Sequence, residues 1–377
     1  MYKLIGTTSP IFVSRDPQST PKTVRSGQDY FVIMIHSAQA AFHGKIWDKV
    51  NNLIVTSQVN LNHRNLGNGC LTSINRTVAV RKNGSQPLGL NPNLISLVPA
   101  VMPNVTIGIG FIIDKQNEIV KLSGMINDNC FFNALSLAVG PASVAKNVAG
   151  IADKIIREFI KPEDQEPILD FYGDFNIATG DLKDGYYVII GTSDDATPLP
   201  DPSIRVEVKN NKLFVGGTPA DKWSYVILDV QRIPARAREM NDSASWDLKL
   251  REAEDDAELL VRNPIASEDD RKQTWNRCLK LIQESQTLLR ADVNYLPKDA
   301  TNIVTASLQR CRQVIDPNSP ERATKGFKQG DSVWMPDISN DLTALGLPPE
   351  TNINKVLEEY ADQVFETRRA LKAAGII

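Results

Sequence analysis

The sequence lacks most of the features that assign a protein to a functional class at first reading. It has only three histidines and four cysteines in 377 residues, and no two cysteines stand in Cys-x-x-Cys spacing. No run of about 18 consecutive apolar residues is present, which argues against a transmembrane helix. The sequence also has no P-loop, no Gly-x-Gly-x-x-Gly after a predicted strand and no Gly-x-Ser-x-Gly, so no phosphate-binding or hydrolase motif assigns a chemistry.

The cysteines Cys70, Cys130, Cys278 and Cys311 are scattered along the chain. This spacing is typical of reduced thiols in a reducing compartment. A disulfide between Cys278 and Cys311, on two neighbouring predicted helices, is the alternative. The first residues show no basic segment followed by an apolar core, so no secretory signal is visible. We therefore expect a cytoplasmic protein.

The charge is distributed unevenly along the chain. Residues 1–150 contain 13 basic and 6 acidic side chains, whereas residues 151–377 contain 29 basic and 39 acidic ones. A basic front part can bind an anionic partner such as nucleic acid, or it can attract the acidic remainder of the same chain. Because the basic residues are dispersed, the sequence does not decide between these readings, and nucleic acid stays an open partner.

The front of the chain has the pattern of short strands separated by turns. Four segments rich in Val, Ile, Thr and Phe end near Gly, Asn or Pro: Tyr30–His36, Asn52–Leu61, Leu71–Arg81 and Asn104–Asp114. Such a series predicts an antiparallel β sandwich or barrel-like unit over residues 1–130. An apolar stripe at helical spacing (Val144, Val148, Ile151, Ile155, Phe159) then predicts a helical bridge over 131–162.

The remainder divides into a second β unit and a helical unit. The acidic residues 163–166, between Pro162 and Pro167, suggest a linker, and a hairpin at 204–215 with Asn210-Asn211 at its turn marks a small β unit over 163–235. Residues 236–377 show four amphipathic patterns, which predict an α-helical bundle. The sequence thus predicts an α+β multi-domain protein.

Candidate reactive residues are few and poorly spaced. His63 and Cys70 flank a glycine-rich turn, and a hairpin could join them as the base and thiol of a hydrolase, although no third orienting group is visible. His36 and His43 lie seven residues apart in a segment that reads as a strand followed by a loop, so they do not form the one-faced helical pair that a His-Glu-x-x-His metal site requires. Acidic loops (Asp170, Asp174, Asp181, Asp184, Asp194, Asp195) offer oxygen ligands for calcium, but turns and caps explain them equally. We therefore assign no catalytic, cofactor-binding or metal-binding residue.

One uncharged run bears on function. From Asn83 to Ile113 there is no charged residue, and Val105–Phe111 alternates large with small residues. A core strand with a close neighbour explains this pattern, and a membrane-inserting β-hairpin is the alternative.

These observations favour a non-catalytic interaction or assembly component that binds a protein partner or its own copies. The first alternative is a membrane-active, pore-forming-like effector, in which a basic, charge-poor β unit is restrained by the acidic helical part. The second is a hydrolase that uses His63 and Cys70.

Overall fold

The structure is a computed structural model, and it describes residues 5–6, 10–42, 52–63, 67–79, 84–88, 93–114, 165–192, 199–201, 203–240, 244–262, 266–316, 334 and 338–376. The chain forms two compact units, Met1–Arg232 and Ile233–Ile377. The described part of the first unit is built from antiparallel strands, and that of the second from helices. The predicted α+β class is confirmed.

The strands and helices are numbered here in chain order. The strands are β1 (Ile5–Gly6), β2 (Ile11–Val13), β3 (Tyr30–Phe42), β4 (Asn52–His63), β5 (Gly67–Ala79), β6 (Gly84–Leu88), β7 (Asn93–Pro99), β8 (Asn104–Asp114), β9 (Gln165–Asn176), β10 (Gly185–Thr192), β11 (Val206–Lys209), β12 (Lys212–Val215), β13 (Thr218–Pro219) and β14 (Ser224–Ile233). The helices are α1 (Ser245–Arg262), α2 (Glu268–Ala291), α3 (Pro297–Ile315), α4 (Ile338–Ala344) and α5 (Ile353–Ala373).

Strands distant in sequence share the same sheets. The large sheet has the order β1-β10-β14-β3-β6, with β2 also on β10 and β7 also on β3, and a four-stranded sheet has the order β5-β4-β8-β9. The sequence placed a unit boundary at residue 163, whereas strands on both sides of that residue pair with each other in both sheets. The domain bounds expected from the sequence (1–130, 131–162, 163–235 and 236–377) stay predictions.

The two sheets enclose one hydrophobic core. Ile33 of β3, Phe111 of β8 and Leu228 of β14 belong to the same cluster of buried apolar side chains. Because alternate residues of a strand point to opposite faces, each sheet contributes one row of apolar side chains to this cluster. The predicted β sandwich is confirmed.

The large sheet is covered on its other face as well. Val188, Ile190 and Ile227 form a second cluster with Leu213 and Val215 of the small β11-β12-β13 sheet. β11 and β12 form the predicted hairpin, whose turn residues Asn210 and Asn211 have φ of 51° and 61°. Positive φ at both positions matches the twist of a tight hairpin, and asparagine tolerates it better than most residues do.

The helical unit follows local rules at its helix ends. Ser267 caps α2 in a capping box with Asp270, and Pro297 stands at the first turn of α3, where its missing N–H costs nothing. Trp246, Trp275 and other buried apolar residues of the helices form one core. The four predicted helices are confirmed as α1, α2, α3 and α5.

A buried ionic network crosses the helical unit. Arg238, in a short 3₁₀ turn, pairs with Asp247 and, at 2.6 Å, with Glu254, and it donates a hydrogen bond to Ser307. Both carboxylates are less than 10% exposed. Buried charges of this kind are tolerated only when they are paired and hydrogen-bonded, so Arg238 ties the chain before α1 to the helices α1 and α3.

Several elements differ from expectation. β6, β7 and α4 were not predicted, and β9 begins at Gln165 within the predicted linker. The predicted helices between residues 131 and 159 lie outside the described residues.

Candidate functional site

The hairpin β4–β5 does not place the proposed base and thiol opposite each other. His63 pairs with Gly67, whereas Cys70 pairs with Asn60. The two positions are therefore three register steps apart, about 10 Å along an antiparallel ladder. This register gives no support to the pair, and the hydrolase stays an untested prediction.

Three of the acidic loop residues each have a partner of their own. Asp174 accepts a hydrogen bond from Thr106, Asp181 accepts one from Thr179 at 2.8 Å, and Asp184 pairs with Arg15. Asp194 and Asp195 lie outside the described residues, as does His43. Within the described ranges, no three His, Cys, Asp or Glu side chains stand close enough together to hold a metal ion.

Two of the cysteines are free thiols in the core of the helical unit. Cys278 of α2 and Cys311 of α3 are fully buried and form no disulfide with each other. A hydrogen bond with the Cys278 thiol, together with burial, raises the pKa of Cys311 far above its usual range. Since the thiolate is the reactive form of cysteine, Cys311 is unreactive at neutral pH.

Among the described residues of the β unit, one group of polar and aromatic side chains lies close together, and we call it the Asp229 cluster: Arg15, His36, Asp184, Tyr186 and Asp229. Tyr186 of β10 is the register partner of Asp229 on β14 and of Val13 on β2, and Arg15 stands two residues after the end of β2. Arg15 pairs with both carboxylates and donates to the Val230 carbonyl oxygen at 2.8 Å.

His36 joins this cluster from β3. Its ring lies 4.9 Å from the Tyr186 ring, centroid to centroid, and the Arg15 guanidinium lies 5.5 Å from the same ring. The core-facing row of β3 runs through Phe31, Ile33 and Ile35 and resumes at Ala38 and Ala40. The core-facing row thus shifts by one residue between Ile35 and Ala38, and His36 lies within this shift, while the register of β3 with β7 is irregular between Phe31 and Met34.

The pKa shifts in the Asp229 cluster limit its chemistry. Burial opposes the charge of Arg15, but Asp229 and Asp184 outweigh it and raise the pKa of Arg15, while burial raises that of Tyr186. Both groups therefore keep their protons at neutral pH. Burial lowers the pKa of His36, so its imidazole is neutral there. Arg15 pairs with both carboxylates, as in a structural polar network.

The described strands of the uncharged run, β6, β7 and β8 up to Ile113, belong to the two sheets of the sandwich. Val105, Ile107, Ile109 and Phe111 of β8 are at most 1% exposed and belong to the shared core. β8 is an inner strand, paired with β4 on one side and β9 on the other. The alternation that suggested a membrane-inserting hairpin is thus explained by burial between two sheets.

The four-stranded sheet has two unlike edges. β9 carries Pro167, the acids Glu166, Asp170 and Asp174, and a register irregularity against Phe111 and Ile112 of β8. Proline, charge and bulges are the devices that protect an edge from pairing with another chain. β5 has 13 residues, no proline and the single charged residue Arg76, and among the described strands it pairs only with β4. We call this strand the β5 edge.

The β5 edge is regular over most of its length. Residues Gly67–Ile74 pair without interruption with residues 56–63, and the register then skips Asn75 before Arg76 pairs with Val55. The uninterrupted part contains no charged residue. Sequence reasoning missed this feature, because which strands lie at the edges depends on strand order.

Comparison with known proteins supplies no function: no protein-family model and no curated protein sequence matches the chain. Among the helices within the described residues, none is both long and apolar enough to cross a membrane.

Proposed function

We propose that the chain is a non-catalytic interaction and assembly component that accepts an extended segment as an added strand on the β5 edge. One observation supports this: of the two edges of one sheet, β9 carries the protective devices and β5 has almost none. A strand added to an edge gains main-chain hydrogen bonds along its length, while alternate side chains provide specificity.

The chemistry of the remaining polar groups is consistent with this proposal. The acids of the described loops are held by individual partners, and the ionisable members of the Asp229 cluster pair with one another. The membrane-active effector and the hydrolase remain predictions, and no contact among the described residues supports either.

The test is a substitution that charges the β5 edge without reaching the core. Cys70 pairs with Asn60, between positions that pair with the buried residues Val59 and Leu61. Since alternate rows of a strand face opposite sides, Cys70→Lys avoids the buried row. We expect affinity-purified Cys70→Lys to lose the partner that the wild-type chain retains, and hydrogen exchange of β5 to slow in the wild-type complex.

Two matched variants serve as controls. Cys70→Ser removes the thiol without adding charge, and it should bind the partner like the wild type. Tyr172→Lys adds the same charge to β9, where Tyr172 is 62% exposed, and it should also bind. Equal loss in Cys70→Ser and Cys70→Lys would instead favour a role for the thiol, and unchanged binding by Cys70→Lys would contradict the proposal.

A further inference from the structure

We infer that the strand added to the β5 edge is β5 of a second copy of this chain, in a closed dimer with a continuous eight-stranded sheet. This inference rests on the proposed function and names the partner at the same edge. Three features support it: the register that the β5 edge permits, the absence of charged residues in Gly67–Ile74, and the proline, acids and irregular register that protect β9 at the opposite edge.

The register follows from symmetry. A twofold axis perpendicular to the sheet relates two antiparallel copies of β5 and keeps each face of the sheet on the same side. Residues opposite each other must therefore come from the same alternating row. It follows that one residue near the axis pairs with its own copy. The regular part of the edge is Gly67–Ile74, because Asn75 is skipped in the β4–β5 register. Its midpoint lies between Cys70 and Leu71, so the axis passes beside one of these two residues.

Charge favours the register with the axis beside Leu71. Gly67–Ile74 carries no charged residue, and the two copies of Arg76 lie at opposite ends of the paired region. Like charges directly opposite each other destabilise a strand pair. With the axis beside Cys70, position 76 of one copy would be opposite position 64 of the other, and both are arginine, whereas with the axis beside Leu71 position 76 would be opposite Leu66. An uncharged edge of eight regular residues therefore tolerates its own copy.

The opposite edge explains why the assembly closes. Head-to-tail pairing of β5 with β9 of the next copy would leave free edges at both ends and grow into a filament. Pro167 donates no hydrogen bond, the β9 register is irregular beside it, and Asp170 and Asp174 charge the strand. β5–β5 pairing uses only the unprotected edges and leaves the two β9 strands as the outer edges of the dimer sheet.

The experiment is light scattering coupled to size-exclusion chromatography, on the full chain over a concentration series. We expect a wild-type dimer. Cys70→Lys and Cys70→Glu each place like charges opposite or diagonal to each other across the axis, which should weaken dimerisation roughly fivefold. An equimolar mixture of these two variants should recover the dimer, because the charges are then opposite. A variant that merely misfolds would not be rescued by its counterpart.

Cys70→Ser and Tyr172→Lys should dimerise like the wild type. If the wild type is a monomer and binds a different partner, which Cys70→Lys does not bind, the dimer is refuted but the proposed function is kept. A monomer that binds nothing at β5 would overturn both. Oligomers that grow without limit, or a lysine–glutamate mixture that stays monomeric, would overturn the closed β5–β5 dimer.

Discussion

The substitution Asp29→Asn tests the energetics of the β unit most directly. Asp29 is fully buried before β3. It accepts hydrogen bonds from Arg25 (backbone N, 2.9 Å; Nε, 3.0 Å) and from Arg232 (Nε and Nη2, both 2.8 Å). The Arg232 side chain is 12% exposed, whereas that of Arg25 is 53% exposed.

The expected loss follows from this difference in burial. Asn keeps the shape of Asp29 but leaves the Arg232 guanidinium buried without its counter-charge, which costs about 3–5 kcal/mol. Arg25→Gln removes an exposed partner and should cost at most about 1 kcal/mol. Replacing both buried charges, as in Asp29→Leu with Arg232→Met, should restore much of the loss, because no uncompensated charge then remains.

The assay is native-state hydrogen exchange on peptides covering β3 and β14, which reports the opening free energy of the β unit alone. A loss below about 1 kcal/mol for Asp29→Asn, or a loss equal to that of Arg25→Gln, would refute the reasoning. Acid gives a second readout. Burial raises the pKa of Asp29, but the hydrogen bonds from Arg25 and Arg232 outweigh it and hold that pKa below 3.8. The stabilisation is therefore present above pH 3.8 and lost as the pH falls through the lowered pKa, and Asp29→Asn should remove this dependence.

Three further outcomes are expected. Phe111→Ala should destabilise the β unit by about 3–5 kcal/mol in the same exchange assay, since Phe111 is fully buried between the sheets, and a loss under about 1 kcal/mol would contradict that packing. Burial lowers the pKa of His36 below 6.5, so the wild type should lose stability as the pH falls from 6.5 towards the lowered pKa, and His36→Gln should flatten this slope in a pH series of urea denaturation. Arg238→Met removes the buried partner that Asp247 and Glu254 share, and these carboxylates keep the more exposed Arg251 and Arg310, so exchange in α1 and α3 should show a loss of about 1–3 kcal/mol, and unchanged exchange there would argue that the network is not stabilising.

Local signals explain what could be predicted of the fold. The capping sequence at Ser267 predicts the start of helix α2, and alternating residues around Asn210-Asn211 predict the β11–β12 hairpin. These signals act within a few residues, so the sequence displays them directly. β6 and β7 carry Pro87, Pro99 and turn-forming residues, and they become strands only because β3 supplies partners for their hydrogen bonds.

The candidate sites could not be predicted for a related reason. The Asp229 cluster joins residues 15, 36, 184, 186 and 229, which converge only through the strand order of the large sheet. The β5 edge depends on β8, rather than β5, lying between β4 and β9. Pro167 and its acidic neighbours have the composition of a linker, yet they mark the protected edge of a sheet. The same residue types thus have different meanings in different sheet positions.

The order of strands in the large sheet has a consequence for synthesis of the protein. β6 and β7, which pair with β3, follow it closely in the chain and are synthesised soon after it. The other neighbour of β3, β14, begins at Ser224, 182 residues after Phe42. At a translation rate of roughly 5–20 residues per second, the edge of β3 that pairs with β14 stays unpaired for about 10–40 s. The nascent β unit therefore exposes an unpaired apolar strand during translation, and chaperones that shield such strands should bind it in that interval, before the helical unit has been made.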